Sequence, residues 1–346
     1  MRSTTELFQW LAEKTETAKV RKTKVVLNPE ATVPSVDGVN GQVCDDVTTN
    51  SVCSRGTPTG SRGLMPLHHP NRDFFLCDMF DYAIKDDGVS MEAPIFSLAT
   101  KPDKTIWHWE SKDGSRAITV TPSVLGRATQ FDKDLLIYVV SQMTEALNRD
   151  RLDAQSRTVR FRVYDYLVST NKPTGGKEYQ RLQDALERLR GTSIKTNIQT
   201  GGQRVKEGFG IVDSWKIIEK SPVDESMIAV EVGLSEWLFN AVQAHEVLTI
   251  NPNYFRLRRP IERRLYELAR KHCGDQAQFL IGVDLLQDKC GSQSTLKEFR
   301  RSLRELIEAD TLPDYRMKLD DEKDQVLIYT RDPKKLALSM RKKTAP

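Results

Sequence analysis

The sequence is poor in the residues that staple or metallate a fold. Its 346 residues include only 5 Cys and 5 His. Cys44, Cys53, Cys77, Cys273 and Cys290 are odd in number and scattered, which excludes a disulfide framework and implies reduced thiols. No apolar run approaches the ~18 residues of a membrane-spanning helix. The opening MRSTTELFQW also lacks the apolar core and small-residue cleavage site of a signal peptide. A cytoplasmic protein without a membrane partner is expected.

What is present is charge, unevenly placed. Against 52 Lys and Arg stand 48 Asp and Glu, a net charge of +4. Yet 151–220 holds 14 basic and 8 acidic residues (14 − 8 = +6), and 256–271 holds seven and two (7 − 2 = +5). Local positive fields attract polyanions even when the whole chain is nearly neutral.

One pattern occurs twice. KEYQRLQDALERLRGTS at 177–193 aligns without a gap onto STLKEFRRSLRELIEAD at 294–310, an offset of 117 (294 − 177 = 117). Tyr179, Leu182, Ala185, Leu186 and Leu189 fall on Leu296, Phe299, Ser302, Leu303 and Leu306. Spacings of three, four and seven put each set on one helix face. Lys177, Gln180, Arg181, Asp184 and Arg188 are left facing outward in one copy, and Lys297, Arg300, Arg301 and Arg304 in the other. The context repeats too. TVRFRVYDYLVSTNKPTGG and QFLIGVDLLQDKCGSQ each read as strand, short helix and turn, with Phe161 and Asp165 matched by Phe279 and Asp284. Helices at 132–147 and 261–273 precede them, and hairpins at 192–220 and 314–331 follow. This is the winged helix-turn-helix order, whose second short helix fits a major groove about 12 Å wide.

The expected fold is α+β, with two tandem winged helix-turn-helix domains at 126–250 and 251–333. A flexible arm (1–66) and a small β-rich segment (67–125) precede them, and a basic tail (334–346) follows. In the β-rich segment, TIWHWE and RAITVT form a hairpin around Asp113-Gly114, with Trp107 and Trp109 on one face. MIAVEV and the helix SEWLFNAVQAH, N-capped by Ser235, bridge the two domains.

RDFFLCDMFDYAIKDD, APIFSLATKPD, DKDLLIYVVSQM, TVRFRVYDYL and TNKPTGGKEYQRLQDALERLRGTSIKTNI resemble the bacterial plasmid replication initiator protein A family, from about Arg72 to Asp332. The resemblance implies a plasmid-encoded initiator that binds repeated sites at its own origin, assists duplex opening and recruits the host initiator and replicative helicase machinery. It also implies a monomer that binds the repeats and a homodimer that represses its own gene.

The residues themselves nominate DNA contacts. Gln180, Arg181, Lys297 and Arg300 are long enough to reach base edges; Lys195, Arg204 and Lys206, around the TGGQR tip, are wing candidates for phosphate. Catalysis is not expected. A nicking initiator needs two metal-binding histidines separated by one residue on a strand; His68 and His69 are adjacent and would point to opposite sides. TGGKE resembles a phosphate loop, but Asn171 and Glu178 stand where Gly and Ser or Thr are required. The sequence shows no metal or cofactor site. Tyr164, Tyr166 and Tyr179 read as core rather than base-stacking residues. The competing function is a winged-helix transcriptional repressor with no part in opening DNA.

Overall fold

A computed structural model describes residues 83–198, 207–219, 227–274 and 276–344. The expected arm at 1–66 therefore lies outside the described residues, as do Arg204, Lys206, His68, His69 and three of the cysteines.

In chain order the elements are β1 (Lys85–Asp87), α1 (Gly88–Glu92), β2 (Trp107–Glu110), β3 (Ala117–Thr121), α2 (Lys133–Asn148), β4 (Thr158–Arg162), α3 (Val163–Ser169), α4 (Gly176–Gly191), β5 (Ser193–Thr196) and β6 (Glu207–Gly210). They continue with β7 (Val212–Glu219), β8 (Met227–Leu234), α5 (Glu236–Gln243), β9 (Val247–Thr249), α6 (Pro260–His272), β10 (Gln278–Gly282), α7 (Val283–Cys290), α8 (Leu296–Ala309), β11 (Tyr315–Asp320), β12 (Gln325–Thr330) and α9 (Pro333–Thr344).

Two modules share one element order and one sheet topology. In the first, α2, β4, α3 and α4 lead to an antiparallel sheet ordered β4-β8-β7; in the second, α6, β10, α7 and α8 lead to one ordered β10-β12-β11. In both, the last strand is central. The short helices α3 and α7 end alike, at Asn171 (φ 56°) and Gly291 (φ 69°), left-handed residues that stop the helix and free the chain to turn. Thr295 then caps α8, accepting from the Glu298 amide while the Glu298 carboxylate accepts from the Thr295 amide at 3.0 Å.

The structural repeat differs from the sequence repeat in an informative way. The strands, short helices, left-handed stops and third-helix starts are offset by 120 (283 − 163, 291 − 171, 296 − 176). The buried stripes Leu182–Leu186–Leu189 and Phe299–Leu303–Leu306 remain offset by 117. Thus α4 carries three extra residues, nearly a turn, ahead of its apolar stripe. The partner of Phe161 is consequently Ile281, 6% and 4% exposed, rather than Phe279; likewise Asp284 corresponds to Tyr164, not to Asp165.

Two expectations are corrected. First, the hairpin placed at 192–220 is not the third-strand pair of the first module. Its strands β5 and β6 extend β2 and β3 into a four-stranded sheet, with Ile118 opposite Thr196 and Val120 opposite Ile194. Ile194 alternates onto the same buried cluster as Trp109, Ile118 and Val120, and this burial fixes the register. The segment read as a bridge, MIAVEV, is instead the central strand β8, and the β-rich N-terminal segment shares its sheet with an insertion of the first module. Second, the basic run 256–271 is partly internal: Arg263 and Arg264 are 3% and 2% exposed. The basic tail, of which nothing local was expected, is mostly helical, as α9.

Each module has its own core, α2, α3, α4 and β8 contributing to one and α6, α7, α8 and β12 to the other. Between them lies a buried charge network. Lys133 Nζ sits 2.8 Å from Asp86 Oδ2 and 3.0 Å from Glu267 Oε2. Arg264 reaches Glu267 at 3.2 Å and donates to the carbonyls of Ser90, Met91, Glu92 and Lys289. Arg263 pairs with Asp134, which also holds Lys172 at 2.7 Å. Charges this deep persist only when paired and hydrogen-bonded. Among the described residues no helix is long and apolar enough to cross a membrane.

Candidate nucleic-acid interface

The outward faces of α4 and α8 carry the residues singled out by sequence. On α4, Lys177, Gln180 and Arg181 are exposed. Arg181 pairs with Glu178 one turn back, and Gln180 donates to Asp184 at 3.1 Å. Gly175 and Gly176 start the helix with nothing within 4 Å of where a Cβ would stand, so this end of the helix is uncrowded. Arg188 behaves differently. Its Nε and Nη2 both lie 2.7 Å from the Asp132 carboxylate at the start of α2, and the pair is largely buried. That hydrogen bond, against the cost of burial, raises the guanidinium pKa. Arg188 therefore fastens α4 to α2.

On α8, Lys297, Arg301 and Arg304 are exposed and Arg300 is half-buried, on the side opposite or flanking Phe299, Leu303 and Leu306. The β11–β12 turn bears Asp320, Asp321, Glu322 and Asp324 against one Lys323 and leans on this face. Asp324 grips Arg300 bidentately, Oδ1 2.9 Å from Nε and Oδ2 2.6 Å from Nη2. Asp321 Oδ1 lies 2.7 Å from Arg304 Nη2. The acidic turn was not anticipated as part of the site. Its signal is visible as LDDEKDQ, but only the hairpin geometry brings it to the helix.

Lys195 is exposed on β5, opposite Thr119 and Gly208, on the outer face of the four-stranded sheet and not on the β7–β8 hairpin. Lys177, Lys195 and Lys297 make no ion pair among the described residues. Tyr166 is core, edge-on to Tyr138 with ring centroids 5.4 Å apart, and Tyr179 packs against the first core; Tyr164 is 39% exposed. Burial pushes the Cys273 and Cys290 thiols up to about 12, which makes them poor nucleophiles. Among the described residues no three His, Cys, Asp or Glu are grouped to hold a metal.

Residues 85–317 match the family model described as replication initiator protein A, well over half the chain. The chain belongs to the replication initiator protein A family. A protein of Wigglesworthia glossinidia brevipalpis that carries the name of a replication protein is 37% identical to this family member over 262 residues, 75% of this chain and 94% of that one. Among solved structures, domains 2 and 3 of RctB superpose with a TM-score of 0.51 at 13% identity, covering 71% of this chain and 98% of theirs. That likeness is one of fold. The family-model match covers the first module and the second as far as β11, stopping short of β12.

Proposed function

We propose that the protein initiates DNA replication by gripping double-stranded origin repeats with two winged helix-turn-helix modules, at 126–250 and 251–333. On this reading α4 and α8 are the groove-reading helices, β7–β8 is a wing, and β11–β12 is its topological counterpart with an acidic turn that packs on α8. The observation that carries it is the repetition: two modules of one element order, each presenting an exposed cationic third helix. Both lie in one chain joined by a buried charge network, so a single polypeptide can address successive grooves about 34 Å apart without dimerising. Family membership supports the replication role, whereas a repressor of this kind commonly obtains its second module from a second chain.

Arg181, Gln180 and Lys297 contact base edges or phosphates on this reading, with Lys177 and Lys195 on phosphates. Binding several copies to adjacent repeats strains the duplex, the deformation costing a few kcal/mol and offset by protein contacts. Host initiator and helicase then load on the opened strand. The test uses purified protein on a supercoiled plasmid carrying the repeats beside its gene. The AT-rich segment becomes reactive to a single-strand-specific probe without ATP and without nicking. Tight binding at one promoter palindrome with no opening, even with host proteins added, would favour the repressor.

A further inference from the structure

We propose that Asp324 is a positioning residue that makes Arg300 a guanine reader, so that the second module supplies sequence discrimination rather than charge-driven affinity. The proposal rests on the reading of α8 as a groove helix.

Four observations lead there. The β11–β12 turn carries four carboxylates and one Lys (1 − 4 = −3), and such a turn repels phosphate; it cannot be a backbone-gripping wing. Its acid residues nevertheless lean on the arginines of α8, Asp324 on Arg300 and Asp321 on Arg304. The Arg300 contact is bidentate and uses Nε and one hydrogen of Nη2, leaving the terminal edge of Nη1 and Nη2 unspent by that pair. That edge is the fork that matches guanine O6 and N7. Finally, Asp324 is itself fixed: its carbonyl accepts from the Val283 amide at 3.0 Å, tying the turn to the start of α7, and its φ is 50°. An arginine otherwise free to sweep many rotamers is held before DNA arrives, at small cost in ordering.

The test compares the full chain with Asp324→Asn, Arg300→Ala, Arg300→Lys and the Asp324→Asn/Arg300→Ala pair. Asn tolerates the left-handed conformation, so the turn persists, and circular dichroism checks that it does. Binding is read by fluorescence anisotropy on the duplex protected beside the gene and on a shuffled duplex of equal length. Asp324→Asn should lower the ratio of specific to shuffled affinity about tenfold while shuffled binding stays equal or tightens. Arg300→Ala and Arg300→Lys should lower the ratio as far, and the double variant no further. A ratio unchanged by Asp324→Asn, or both duplexes bound more tightly by one factor, overturns the proposal: the carboxylate is then a mere counterion. A ratio also unchanged by Arg300→Ala would go further and remove α8 from base reading, while Arg181 on α4 tests the remainder of the functional reading independently.

Discussion

Lys133 on α2 and Glu267 on α6 form an ion pair, Nζ to Oε2 3.0 Å, with both side chains fully excluded from solvent, and so join the leading helices of the two modules. Asp86 on β1 shares the same ammonium. Because neither module can rotate without exposing or unpairing these charges, the spacing between α4 and α8 is set inside the protein.

Removing the shared cation should therefore be costly. Lys133→Ala leaves buried carboxylates uncompensated and should destabilise by about 3–5 kcal/mol in urea unfolding. Lys195→Ala, on an exposed strand face, should stay within about 0.5 kcal/mol. A loss for Lys133→Ala no larger than that for Lys195→Ala would mean the network is not holding the modules.

Arg188→Ala should separate anchoring from recognition. It removes a largely buried bidentate pair with Asp132, so stability should fall by about 1.5–3 kcal/mol. The ratio of specific to shuffled DNA affinity should remain that of the wild type. Arg181→Ala should show the reverse, a discrimination loss of about 1–3 kcal/mol with stability unchanged.

Glu92 gives a pH dependence. Burial works to raise its carboxyl pKa, but the hydrogen-bonded Lys289 ammonium and the His272 ring 3.2 Å away overcome this and hold it well below the usual carboxylate range. A depressed carboxyl contributes stability above its unfolded value of 4.5 and loses it as pH falls further. Glu92→Gln should thus be less stable than wild type at neutral pH, and the gap should close on acidification, as followed by urea midpoints. A gap that widened in acid would reverse the sign and refute the assignment.

Much of this architecture is legible in the sequence because periodicity reports burial directly. The stripes of α4 and α8, the Ser235 cap and the Thr295–Glu298 capping box are local patterns, and each forms where its residues place it. Strand partners are not local. SIKT and MIAVEV both alternate, and alternation says that one face is buried without saying against what; only the fold assigns β5 to the β2–β3 sheet and β8 to β4. Arg263 and Arg264 resemble solvated charge because their acceptors, Asp134 and the Ser90 to Glu92 carbonyls, lie over a hundred residues away. The acidic turn lies only 24 residues from Arg300 and 17 from Arg304, and it was hidden instead by the hairpin that folds it back onto α8.

The measurement closest to the central claim is hydroxyl-radical footprinting of the full chain on DNA flanking its gene. Wild type should protect repeated sites of about two helical turns each, and the Arg300→Ala/Arg301→Ala variant should lose about one turn at one end of every site while keeping the other. Full-length protection by that variant, or wild-type protection of only one turn, would contradict two modules reading DNA from a single chain.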